Sequence, residues 1–101
     1  MKRLMYCPIY RDELEEVFNR GILPESNGFI DLFNYKRDAE FCFHLNHPEA
    51  EDGCILKVLA DESMMNAFST YYCGQILTVY EFRGRLSPDC IALNENDVDY
   101  F

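Results

Sequence analysis

The chain has 101 residues, the length of one domain, and its 49% hydrophobic content with eight Phe and seven Tyr excludes the composition of a disordered chain. Eighteen acids against nine bases leave a formal charge of −9, which argues against direct nucleic-acid binding, because that needs clustered Lys and Arg. No run approaches the ~18 consecutive apolar residues of a membrane-spanning helix, and Met1-Lys2-Arg3 is not followed by the apolar stretch of a secretory signal.

In chain order, Leu4-Met5-Tyr6 reads as a first strand stopped by Cys7-Pro8. Asp12 and Glu15 have capping-box spacing, and Leu14, Val17 and Phe18 follow on one helical face. Gly21 closes that helix, with Pro24 beyond it. Ser26-Asn27-Gly28 is a turn, and residues 29–33 alternate as a strand with Asp31 the one charged position. Asn34 is placed to cap a second helix, from Tyr35 to about Leu45, burying Ala39, Cys42 and Phe43.

Residues 54–60 form a nearly continuous apolar run, the pattern of a central strand. Asp61 can cap a short helix carrying Met64 and Met65, residues 70–73 suggest a strand, and Gly74 a bend. Residues 76–83 are β-prone, and residues 90–93 read as a last strand. The order predicts a single α+β domain over residues 1–101, with an acidic, flexible tail at 94–101. Its core should include Val17, Phe18, Phe43, Ile55, Leu56 and Val58.

This order of parts resembles a minimal ADP-ribosyltransferase-like fold, the split-sheet NAD-binding fold of the RNA 2′-phosphotransferases and DarT-like toxins. Gly21-Ile22-Leu23-Pro24 is similar to that family's Gly-Leu-x-Pro helix exit. Strand 29–33 with Ala39, and the segment from Ile55 to Met65, have the form of the next parts. Gly74-Gln75-Ile76-Leu77-Thr78 resembles the family's Gly-Val-x-Leu-Thr segment. Tyr80-Glu81-Phe82, followed by Leu86-Ser87-Pro88-Asp89-Cys90-Ile91, is similar to its catalytic-Glu strand and exit strand.

The resemblance implies a small split antiparallel or mixed sheet with two to three short helices. It places Glu81 at the catalytic position, and Tyr6 and Cys7 where NAD would be held. The family's opening aromatic-His-x-Thr departs here: the His falls on Cys7 and the Thr on Ile9. A thiol bonds weakly and Ile not at all, so NAD chemistry is the alternative reading and no cofactor is expected.

Five cysteines, Cys7, Cys42, Cys54, Cys73 and Cys90, are odd in number and form no CxxC pair. They read as reduced thiols in a cytoplasmic protein, with no metal site. His44 and His47 have no third ligand near them in sequence and read as helix-end residues. Two acidic clusters are candidate partner-binding features: Glu49, Glu51 and Asp52 in a loop, and Glu95, Asp97 and Asp99 beside Tyr100 and Phe101. Together these features predict an inhibitor-type protein-binding domain on a catalytically degenerate scaffold. Its partner would be a protein with a basic surface, such as a nucleic-acid-binding complex. In size and charge the chain is similar to phage or mobile-element inhibitors, including anti-CRISPR proteins.

Overall fold

The computed structural model of the chain describes residues 1–49, 51–72, 74–91 and 98–100. Its strands are β1 (Lys2–Tyr10), β2 (Phe29–Leu32), β3 (Gly53–Asp61), β4 (Met65–Tyr72), β5 (Gln75–Arg83) and β6 (Asp99–Tyr100). Its helices are α1 (Leu14–Arg20) and α2 (Lys36–Asn46). The strands form two small antiparallel sheets, in the orders β1-β3-β6 and β2-β5-β4. The result is an α+β fold.

The first strand continues through Pro8 instead of stopping there. Met5, Cys7 and Ile9 alternate inward, so burial favours extension to Tyr10. The Tyr6 N–H donates to the Phe33 carbonyl at 2.8 Å, and the Phe33 N–H donates back at 2.9 Å. Tyr6 therefore turns its backbone groups away from β3, and Pro8, two residues on, turns the same way. The N–H that proline lacks is not one that β3 needs.

The Tyr6–Phe33 pair also joins the two sheets. The outer edge of β1 meets the end of β2 at this point, and beyond it the two strands diverge.

Residues 54–60 lie in the centre of their sheet, as the apolar run predicts. Cys54, Ile55, Leu56, Val58 and Ala60 are buried; β1 pairs along one side of them, and on the other β6 pairs with Cys54 and Ile55 and Ile91 bridges to Val58. One core cluster sets Met5, Leu56 and Val58 with Ile30, Leu32, Phe82 and Leu86. A second sets Phe33, Ile55, Leu77 and Val79 with Ala39 of α2. Burying each large side chain of this kind contributes about 1.5–3 kcal/mol. Val17 and Phe43 are buried as expected, and Phe18 packs half-buried against the first cluster.

Several local expectations shift. Glu13, not Glu15, makes the capping contact: its Oε1 accepts from the Tyr10 N–H at 3.1 Å, and a 3-10 turn at Arg11–Glu13 leads into α1. Asn34 does not cap α2, because its side-chain amide donates to the Tyr80 hydroxyl at 2.9 Å; Tyr35 is the N-cap residue. Asp61 caps only a 3-10 turn, Glu62–Met64, accepting from the Ser63 N–H at 3.0 Å, and Met65 opens β4. Residues 65–68 pair with β5 from Met65 opposite Phe82 onward, and this cross-strand pairing overrides the short helix. Finally, of the expected last strand at 90–93, Cys90 belongs to a 3-10 turn, Pro88–Cys90, Ile91 makes a bridge to Val58, and residues 92–93 lie outside the described residues.

Among the described residues, no helix is long and apolar enough to cross a membrane.

Candidate functional site

Where β1 and β2 part, a cleft of about 690 Å³ opens between them, walled by α1 and α2. Cys7 and Ile9 reach it from β1, Ile30 and Asp31 from β2, and Phe43 from α2. Gly21 closes the α1 side. Its φ of 87° is a left-handed value, and a Cβ there would fall into the Leu86 carbonyl oxygen. Only glycine lets Ile22 and Leu86 pair, with N–H to carbonyl bonds of 2.8 and 3.0 Å, so this residue brings α1 close against the sheet.

The charge around the cleft is one-sided. Asp12, Glu13, Glu16, Glu25, Asp31 and Asp52 line it. Among the described lining residues the one Lys or Arg is Arg20, whose Nη1 is 3.6 Å from Glu16 Oε1. Asp31 is half-buried and stands directly opposite Glu81 of β5. Its carboxyl is held above the usual range, first by burial and then by the charges of Glu81 and Glu25. An alternating strand rarely sets an acid opposite another acid on a half-buried face, since like charges there repel.

Cys7 also lines the cleft, and burial drives its thiol far above the ordinary value, with Asp31 and Glu13 pushing the same way. Both influences disfavour the thiolate, the nucleophilic form. Cys42 is raised by burial and by Asp31, against a hydrogen bond from Asn46. Cys54 is pushed up to about 11, chiefly by burial. Cys7, Cys42, Cys54 and Cys90 are free thiols, and Cys73 lies outside the described residues.

At the cleft mouth Tyr10, Phe43 and His47 make an aromatic corner. The Tyr10 hydroxyl and His47 Nδ1 share a hydrogen bond of 2.7 Å, and the Tyr10 ring meets Phe43 edge-on at 5.2 Å. His44, the other helix-end histidine, has Nε2 at 3.8 Å from Glu40 Oε1. Among the described residues, no group of three or more His, Cys, Asp or Glu is arranged to hold a metal ion.

The acidic loop borders this corner. Glu49 and Asp52 line a smaller hollow with Tyr10 and His47, and Glu51 is exposed beside them. The chain end comes to the same place. The Arg11 N–H donates to the Asp52 carbonyl at 2.8 Å, and the Arg11 guanidinium lies 4.8 Å from the centre of the Tyr100 ring. Asp99 and Tyr100 pair with Ile55 and Cys54, and Val98 is buried. Tyr100 and the 49–52 loop thus share one end of the molecule. Glu95, Asp97 and Phe101 lie outside the described residues.

Of the positions the transferase resemblance singles out, Tyr6 is half-buried on β1, packing with Phe33 and Ile55, and Cys7 faces the cleft. Glu81 is half-buried on the central strand of its sheet, between Asp31 and Asn66. No protein-family model matches the chain, and no curated protein shows significant sequence similarity to it. Sequence reasoning does not single out Asp31 or Glu25 as site residues. The available signal is Asp31 itself, one acid in an otherwise apolar strand.

Proposed function

We propose that this domain is an inhibitor-type protein-binding module that takes a basic segment of its partner into the acid-lined cleft and masks it. The observation that carries this reading is the lining: six acids among the described residues, and one Arg already beside a Glu. A guanidinium or ammonium entering there would relieve the repulsion among Asp31, Glu81 and Glu25. The aromatic corner of Tyr10, Phe43 and His47 offers apolar area at the mouth, the kind of surface on which a partner's side chain anchors. The partner would be a protein with a basic surface, such as a nucleic-acid-binding complex, as for phage inhibitors of the anti-CRISPR kind.

The division into two sheets around a cleft supports an ADP-ribosyltransferase-like scaffold. The acids of that cleft, with Cys7 and Ile9 in place of a His and a Thr, favour binding over NAD chemistry.

Calorimetric titration with an Arg-rich peptide tests the reading. The variant Glu25→Gln/Asp31→Asn/Asp52→Asn should bind at least about tenfold more weakly than wild type, the loss of roughly one charge-assisted contact. A control with equal charge change outside the cleft, Glu15→Gln/Glu62→Gln/Asp89→Asn, should bind nearly as wild type. Equal weakening in both variants would mean that net charge alone attracts the peptide, and would sink the cleft.

A further inference from the structure

The arrangement of edges points to a second interaction surface, independent of the cleft. β4 ends the β2-β5-β4 sheet, so one of its edges faces outward. Among the described residues, no backbone hydrogen bond outside the sheet ladders involves residues 65–72. A bare strand edge is a template for another strand, and folded proteins ordinarily guard it with charge, proline, bulges, shortness or cover.

The other outer strands have such guards. β1 carries Lys2, Arg3 and Pro8 and meets Phe33 at Tyr6. β2 is four residues long and carries Asp31, and β6 is two residues long. Among the described residues, β4 has none of these. It runs eight residues, Met-Asn-Ala-Phe-Ser-Thr-Tyr-Tyr, with no charge and no proline. Its register with β5 is unbroken from Met65 opposite Phe82 to Tyr72 opposite Gln75, so no bulge twists it away. The same hairpin leaves large apolar area in water: Phe68 is 46% exposed, and the opposed pair Tyr71 and Ile76 are 72% and 70% exposed.

We propose that the β4 edge pairs with the β4 edge of a second copy of this chain, antiparallel across a two-fold axis. Charge selects this occupant. Two copies at −9 repel through most of their surface, and an eight-residue strand without an acid is a place where they meet without setting carboxylate against carboxylate. A basic partner gains nothing from charge at this edge. Geometry selects it as well, because an antiparallel strand is its own complement under a two-fold. Eight residues at about 3.4 Å each make an edge about 27 Å long, a narrow interface, so the dimer should be concentration-dependent.

Sedimentation equilibrium of the full chain from low to high micromolar concentration tests this. Wild type should pass from monomer to dimer over that range. Ala67→Lys sets a charge on the edge at an exposed residue, and should weaken the dimer at least tenfold with an unchanged circular dichroism spectrum. Tyr71→Ser, which trims exposed apolar area and leaves the edge bare, should weaken it less. Amide exchange along residues 65–72 should slow as concentration rises. A wild type that stays monomeric throughout, or a dimer that survives Ala67→Lys with native spectrum, would overturn the proposal.

Discussion

Asp31 and Glu81 stand directly opposite each other on β2 and β5, two half-buried carboxylates facing across adjacent strands beside the cleft. The Asp31 carboxyl is raised by burial first, and then by Glu81 and Glu25. Native Asp31 therefore holds its proton to higher pH than it does in the unfolded chain. As pH rises from the ordinary Asp value through the raised one, the native state binds more protons than the unfolded state, and stability falls across that window.

Glu81→Gln removes one cause of the shift. At pH 7 the variant should be more stable than wild type by about 0.2–1 kcal/mol, the range of a cross-strand charge pair. The gain should shrink as pH drops below ~4, where Asp31 carries its proton folded or unfolded. Urea denaturation at the two pH values measures both. A variant less stable than wild type at pH 7 would show that Glu81 holds a favourable contact instead.

Gly21 joins the cleft to the sheet through its backbone alone. Its φ of 87° disfavours any L side chain, and a Cβ would meet the Leu86 carbonyl oxygen. Gly21→Ala must therefore push α1 away and break the Ile22–Leu86 bridge. The expected loss is about 1–3 kcal/mol, from strain and the lost pair. Gly84→Ala is the internal comparison. Gly84 has a similar φ of 96°, with no atom within 4 Å of where the alanine methyl would sit, so the variant bears conformational strain alone. Thermal denaturation of the two variants compares the losses. Equal losses would show that the close approach at Leu86 costs nothing.

What could be read from the chain divides by how local the cause is. The apolar run at 54–60 marks a buried strand because nearly every residue is apolar, whatever its neighbours do. Gly21 after Val17 and Phe18 ends a helix for reasons internal to that segment. Pro8 misleads because its effect depends on which edge of β1 faces β3, and that depends on Phe33 being there to receive Tyr6. Met65 misleads because a capped turn after Asp61 is locally sound, and only the distant β5 draws the next residues into a strand. The cleft is least visible of all. Asp31 and Glu81 are fifty positions apart, and their opposition is a matter of register. The acidic loop at 49–52 is visible as a charge cluster; its place beside Tyr10, His47 and Tyr100 follows from packing through Arg11.

The last expectation concerns NAD. In the ADP-ribosyltransferase-like family proposed above as the scaffold, a His and a Thr on the first strand hold the nicotinamide ribose and its neighbours. On the proposed transferase-like reading, Cys7 and Ile9 of β1 would fall at those positions; both are buried at the cleft. The Cys7 thiol is held protonated and bonds weakly, and Ile9 offers no polar atom. Each lost hydrogen bond costs roughly 0.5–1.5 kcal/mol net, so the pair together weakens binding by about one to two powers of ten. The dinucleotide's pyrophosphate would also enter beside Asp12, Glu13, Glu16 and Glu25, where like charge opposes it. Calorimetric titration should therefore show no saturable binding at micromolar NAD, and raising salt should not reveal any. Micromolar affinity would return the cleft to transfer chemistry. In that case Glu81→Gln should abolish ADP-ribose transfer while leaving the thermal transition in place, and a variant that kept both binding and transfer would exclude Glu81 as the catalytic group.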